Sequence, residues 1–302
     1  MSGFSAIYCG DHRPVEPTRL SRMMQALAHR GPDGMSQWRH GPVGLGQCLL
    51  HTTPESLREH YPLSDASEQR WIVWDGRLDN REELLPLLKA EGISPGEETD
   101  PELVLGAYRL WGEGCAQHLL GEFAFVVWDQ TTQTLFGARD RLGLKPFYYT
   151  AQGSTLLIAS EAKALLGVLD RMPEPDDALV LAMLLAECRE ADNARTLFAG
   201  IHRLPPGHVL VAREGRWQIQ RYWCIDPSKQ ILYKHPEAYV EHFLALFDEA
   251  VRCRTRSAFP VGVFLSGGLD SSALTARAAQ LSRMPVEAFT LFGDDPASDE
   301  RR

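Results

Sequence analysis

The chain has no Cys-x-x-Cys pair, no apolar run of about 18 residues and no excess of basic charge. Each absence excludes something. Six cysteines (Cys9, Cys48, Cys115, Cys188, Cys224, Cys253) are scattered without the spacing of a zinc site or a disulfide framework. That pattern predicts reduced thiols in a cytoplasmic protein. Without a long apolar run or a basic leader ahead of one, the sequence predicts neither a membrane span nor a secretion signal. The formal charge is −9, from 31 Lys+Arg against 40 Asp+Glu, which argues against nucleic acid or an anionic membrane as partner. The imbalance is not a tail effect: residues 226–302 hold 9 basic and 11 acidic side chains, and the rest hold 22 and 29. Any polyphosphate must therefore be gripped by local geometry and metal. The Gly-Lys-Ser/Thr of the lysine-based nucleotide loop is also missing.

What is present reads as a soluble globular protein of 302 residues, 44% hydrophobic and 24% charged, long enough for two domains. Short aromatic or branched runs bounded by turn residues predict strands at Trp71–Trp74, Phe123–Trp128, Leu135–Ala138, Phe147–Tyr149, Leu156–Ala159 and His208–Ala212. Helical spacing of Leu20, Met23, Met24 and Leu27 predicts a helix over Thr18–Ala28, and Asp100-Pro101 opens another. Asp100 itself reads as the N-cap of that helix, with Pro101 at N1. Strands with helices outside them suggest an α+β layered domain over residues 1–225.

Asp226-Pro227-Ser228 punctuates the pattern, and residues 226–302 read differently. An amphipathic helix runs from Pro236 to Arg252, with Val240, Phe243, Leu244, Phe247 and Val251 on one stripe. A buried strand then breaks at Ser266-Gly267-Gly268-Leu269-Asp270-Ser271-Ser272, a helix follows to Leu281, and a second strand runs over Val286–Phe292. A glycine turn between strand and helix lets backbone N–H groups approach an anion at the helix start. The hydroxyls of Ser266, Ser271 and Ser272 add phosphate donors, and Asp270 adds a ligand for Mg²⁺. This order opens a parallel, doubly wound α/β domain, of which only two strands fit before Arg302. Two strands cannot bury both faces of a parallel sheet, so the second domain reads as truncated.

Several runs together resemble one family. Ala28-His29-Arg30-Gly31-Pro32-Asp33-Gly34, Gly121-Glu122-Phe123-Ala124-Phe125 with Trp128-Asp129, Ala138-Arg139-Asp140-Arg141-Leu142-Gly143-Leu144-Lys145-Pro146-Phe147-Tyr148-Tyr149, Ser160-Glu161-Ala162-Lys163-Ala164-Leu165 and Leu204-Pro205-Pro206-Gly207-His208 occur in the order found in asparagine synthetases that use glutamine. The resemblance spans the chain but about half of a typical member. It implies an Ntn-hydrolase-like sandwich of the class II glutamine amidotransferase type, then the start of an ATP-pyrophosphatase domain that adenylates a carboxylate. The implied ATP- and pyrophosphate-binding set is Phe264, Leu265, Ser266, Gly267, Gly268, Asp270, Ser271, Ser272 and Leu291, with ATP and Mg²⁺ as cofactors.

The departures concern glutamine. The family's nucleophile is a cysteine exposed by removal of the initiator Met; here that position is Ser2, a hydroxyl far harder to ionise than a thiol. The family's Asn-Gly, which stabilises the oxyanion, is Asp75-Gly76, and losing one such donor costs on the order of 100-fold or more. The arginine that grips the glutamine carboxylate aligns with Leu49. Asp100 matches the residue that holds the substrate amine. With three of four features changed, the first domain reads as a scaffold without glutaminase activity. Glutaminase-defective relatives, the β-lactam synthetases and lasso-peptide cyclases, join a carboxylate to an amine within the substrate, and Thr52-Thr53-Pro54-Glu55-Ser56 resembles the lasso-cyclase branch.

The resemblance therefore implies an ATP-dependent ligase acting on a small-molecule or peptide carboxylate, with a C-terminal domain or subunit as partner. Asparagine synthesis from glutamine or ammonia, and a non-catalytic half-enzyme, are the competing readings. Other features read plainly. Ser160-x-x-Lys163 lacks the companions of a β-lactamase motif. His235 and His242 are not spaced as a metal pair. The basic Arg252–Arg256 run suits a helix C-terminus. The acidic residues Asp294, Asp295, Asp299 and Glu300 suit either Mg²⁺ or a solvated turn.

Overall fold

Alternation of large and small apolar residues along two sets of strands builds the first part of the molecule. The computed structural model describes residues 1–186 and 193–291. Cys188 and the acidic residues from Asp294 to Glu300 lie outside them. The described chain divides into two compact units, one of residues 1–50 and 58–225 and one of residues 51–57 and 226–302.

In the first unit the strands are β1 (Gly3–Cys9), β2 (Gly34–His40), β3 (Val43–Leu49), β4 (Leu63–Ser64), β5 (Arg70–Leu78), β6 (Gly121–Asp129), β7 (Thr134–Arg139), β8 (Tyr148–Gln152), β9 (Thr155–Ala159), β10 (His202–Arg203), β11 (His208–Arg213) and β12 (Arg216–Arg221). They form two six-stranded antiparallel sheets, in the orders β10-β8-β9-β1-β3-β2 and β12-β11-β7-β6-β5-β4. Because successive side chains point to opposite faces, each central strand feeds two cores. On β6, Ala124, Val126 and Trp128 enter the layer between the sheets, with Phe4, Leu45 and Phe147. Phe123, Phe125 and Val127 face outward under α2 (Arg81–Ala90) and α3 (Asp100–Trp111), where they meet Leu84, Leu88, Leu103 and Val104. On the far side α1 (Pro17–Ala26) and α4 (Ala162–Leu166) cover Ile7, Leu157 and Ala159. The result is a helix–sheet–sheet–helix sandwich with three buried layers.

Several boundaries differ from expectation. Phe147 lies just before β8 as a fully buried anchor and outside the strand proper. α3 begins at Asp100, but its cap is Thr99: Glu102 reaches back to accept from the N–H of Thr99 at 3.1 Å. Thr99-x-x-Glu102 is a capping box, and it takes the role expected of Asp100.

The short helix α5 (Asp177–Leu184) belongs to the first unit; the helices of the second are α6 (Pro236–Arg254) and α7 (Leu269–Leu281). β13 (Val261–Phe264) and β14 (Val286–Phe289) pair in parallel, Val261 opposite Val286 and Phe264 opposite Phe289. α7 is the crossover between them, the arrangement a parallel pair requires. Arg277 of α7 donates from Nε to Asp248 of α6 at 2.7 Å. The segment 51–57 is tied in by Ala258 N–H donating to the Thr52 carbonyl at 2.9 Å and by an Arg256–Glu55 ion pair at 2.7 Å. Among the described residues no helix is long and apolar enough to cross a membrane.

Candidate active site

The first candidate region gathers at the start of β1, the end of β3 and within β5. Gln47 of β3 is fully buried; its amide donates to the Trp74 carbonyl at 2.7 Å and accepts from the Trp74 N–H at 2.9 Å. That pair of hydrogen bonds pins one sheet to the other beside Asp75. Gly76 follows, and a Cβ there would come within 2.4 Å of the Glu122 carbonyl, so only glycine fits against β6.

Ser2 is engaged by backbone. Its hydroxyl accepts from the Leu50 N–H at 3.1 Å and lies 3.3 Å from the Leu50 carbonyl, to which it donates. No histidine or other base is among its hydrogen-bond partners; the Ser2 carbonyl accepts from Arg30 Nε at 2.8 Å. Leu49 is half-buried and brings no charge.

Asp75 is 2% exposed. Arg30 Nη2 donates to one of its oxygens at 3.0 Å, and Lys145 Nζ stands 3.7 Å from the other. Burial pushes the Asp75 carboxyl above its ordinary range, against the pull of Lys145, Arg30 and the chain's amino group. Burial in turn lowers that amino group, although Asp75 favours its charge. Arg30 also donates from Nη1 to Glu161 at 2.8 Å, and Glu161 meets His29 and Lys163. Burial raises the Glu161 carboxyl, but the bonds from Arg30, Lys163 and His29 outweigh it and bring it down to about 2. An amide at position 75 could donate to an oxyanion; this carboxylate accepts only.

Asp100 is 3% exposed, and its oxygens take the Leu78 N–H at 2.8 Å and the guanidinium of Arg81. Ser160 is also accounted for: its hydroxyl accepts from the Phe4 N–H at 2.9 Å, tying β9 to β1. Sequence reasoning assigned no role to Arg30, Lys145 or Arg81. Arg30 and Lys145 stood inside the motif runs, which was the available signal.

The second candidate region is the turn after β13. Gly267 has φ +84°, the left-handed conformation that glycine adopts without strain. Gly268 caps α7, and Asp270 lies in its first turn, exposed. The Ser266 and Ser271 hydroxyls are 3.0 Å apart, and Ser271 Oγ accepts from the Ser266 N–H at 3.2 Å. Thr290 Oγ1 donates to the Leu265 carbonyl at 2.8 Å, which brings Leu291 beside the carboxyl end of β13. Phe264, Leu269 and Leu291 are 85%, 86% and 93% exposed around this mouth. The structure thus groups Ser266, Gly267, Gly268, Asp270 and Ser271, whereas His235 and His242 form no metal pair; His242 accepts or donates at Tyr233 at 2.6 Å. Among the described residues no group of three or more His, Cys, Asp or Glu could hold a metal. A lone carboxylate beside bound phosphates is the usual way to hold Mg²⁺, so the donor set suits that ion.

Residues 1–223 match the glutamine amidotransferase domain family and residues 242–302 match asparagine synthase. The glutamine-hydrolysing asparagine synthetase 3 of Bacillus subtilis is 37% identical over 273 residues, 87% of this chain and 43% of that protein. Amidase chyE of Penicillium rubens is 33% identical over 298 residues, 93% of this chain and 43% of its own length. The chain therefore spans under half the length of these relatives. Among solved structures, the glutamine phosphoribosylpyrophosphate amidotransferase of B. subtilis aligns with a TM-score of 0.53 at 15% identity, covering 95% of this chain and 65% of that one. That likeness establishes the fold alone: an Ntn-type amidotransferase sandwich. The chain belongs to the asparagine synthetase family, with a class II glutamine amidotransferase domain followed by the start of an asparagine synthase domain.

Proposed function

We propose that this chain is the N-terminal part of an ATP-dependent, amide-bond-forming ligase that does not draw its nitrogen from glutamine. The observation that carries the reading is the state of the glutamine region. Ser2 is bonded to Leu50, Asp75 is a buried counter-ion, and Leu49 offers no clamp. By contrast, the turn after β13 keeps Ser266, Gly267, Gly268 and Ser272 exposed and Ser271 half-buried. Ser266, Ser271 and Ser272, with the N–H groups at the start of α7, orient and hold the pyrophosphate portion of ATP. Asp270 is the side chain that would hold Mg²⁺, which when bound neutralises charge on the departing pyrophosphate. Phe264, Leu265 and Leu291 line the same mouth. A substrate carboxylate attacks the α-phosphate of ATP, its oxygen–phosphorus bond forming as pyrophosphate leaves. An amine then attacks the acyl carbon and AMP departs.

The Thr52–Ser56 segment favours the lasso-cyclase branch, in which that amine belongs to the same peptide. In this chain the segment is a compact turn: the Ser56 hydroxyl accepts from the N–H groups of Thr52 and Thr53 at 3.0 and 3.1 Å, and Glu55 pairs with Arg256. Asparagine synthesis with free ammonia is the second reading, supported by the relatives named asparagine synthetase. Titration of Mg-ATP or pyrophosphate into the chain tests the loop: Asp270→Ala and Ser271→Ala should each weaken binding about tenfold or more, the value of one charge-assisted contact. Equal affinity for Asp270→Ala and the parent would remove the loop assignment.

A further inference from the structure

We propose that Arg81 is an internal occupant of the site where the fold's amine-binding carboxylate, Asp100, would receive glutamine, so that the pocket is shut from within. The inference rests on the glutamine-independent reading above and deepens it. Asp100 was the one glutamine-site feature that the sequence kept. In the structure it is almost wholly buried, and each of its oxygens already has a donor. Its Oδ2 accepts from the Leu78 N–H at 2.8 Å, and its Oδ1 takes Arg81 Nη1. Arg81 is itself fixed: Nη2 donates to the Glu98 carbonyl at 2.7 Å, and its side chain is only 16% exposed.

The placement follows from the fold. Leu78 ends β5 and Arg81 starts α2, so Arg81 lies just past the end of the strand that carries Asp75 and Gly76. A substrate ammonium and this guanidinium carry the same charge and need the same carboxylate oxygen. Glutamine would have to displace a cation held by both the Asp100 carboxylate and the Glu98 carbonyl, with no arginine at position 49 to repay it. Arg30 does the same at the other end of the region, where it neutralises Asp75. The two arginines turn a substrate pocket into a pair of internal salt links.

The test uses the full chain, with L-glutamine and, as a probe lacking the α-amine, 4-carbamoylbutanoate. Binding is read by saturation-transfer NMR and calorimetry, and each variant is first checked for a cooperative thermal transition. Leu49→Arg alone should bind no glutamine, whereas Leu49→Arg with Arg81→Met should bind it at least tenfold more tightly than the amine-free probe. Should that variant fail to fold, Arg81→Gln in the same background keeps the donors, removes the charge and carries the same expectation. Glutamine binding by Leu49→Arg equal to that of the double variant would overturn the proposal, as would no binding by either folded double variant. Binding by the unaltered chain without glutamate release would also overturn it while leaving glutamine independence standing. Glutamate release would instead remove the reading beneath it.

Discussion

The amidotransferase unit and the pyrophosphate-loop unit are written in equally regular sequence patterns, yet only the first buries what its patterns promise. Phe4, Phe123, Phe125, Phe136 and Phe147 are all fully buried within three continuous layers. In the second unit Val251 and Ala278 are the apolar side chains that reach full burial among the described residues. Its helical stripe stays open: Val240, Phe243 and Leu244 on α6 are 58%, 64% and 46% exposed, and Phe264 on β13 is 85% exposed. An amphipathic pattern states which face is to be covered, and the covering layer must come from elsewhere. The chain spans 43% of the length of its two quoted relatives.

The largest effect that separates the two units is in their phenylalanines. Phe125→Ala removes a side chain with no exposure and should destabilise the first unit by about 3–5 kcal/mol. Phe264→Ala should change stability by no more than about 0.5 kcal/mol, because that ring is already in water. Urea midpoints of the two variants check this; equal losses would erase the contrast.

Next in size is the buried ion pair. Asp75→Ala removes one of two carboxylates on buried Arg30, which keeps Glu161, and should cost about 1–3 kcal/mol, measured by the same unfolding curves.

The smallest effect is a pH dependence confined to the first unit. Glu161 is held at about 2, against an ordinary value of 4.5, by Arg30, Lys163 and His29. A carboxyl with a depressed folded value stabilises the fold above its unfolded value and loses that contribution as pH falls through the folded one. Thermal stability should therefore decline between about pH 4.5 and about pH 2, and Glu161→Gln should flatten that decline. Asp75, raised by burial, works in the opposite sense: what it contributes is present at low pH and lost as pH rises through its folded value.

How much of this was legible depended on distance along the chain. β6 and β9 announce themselves through dense runs of large apolar residues, and the glycine turn after β13 is read from neighbours in sequence. β1 escaped notice because Gly3, Ser5 and Ala6 break the apolar run, although every residue in it is buried. α2 carries Pro86 in its interior, a residue that ordinarily argues against a helix. Asp100 was misplaced as a cap because Asp-Pro is itself a cap signal, while the competing Thr99-x-x-Glu102 pattern was overlooked. The charge pairs were illegible for another reason. Arg30 lies 45 residues from Asp75 and Arg81 lies 19 from Asp100, so only the closed sandwich brings them together.

The most direct measurement of the central claim is glutamate release from L-glutamine by the purified chain, set beside a Ser2→Ala control. A site with Ser2 bonded to Leu50 and Asp75 held by Arg30 should give no turnover above that control, and Ser2→Cys alone should not restore it. Glutamate formed by the parent chain at a rate above the Ser2→Ala control would contradict the account.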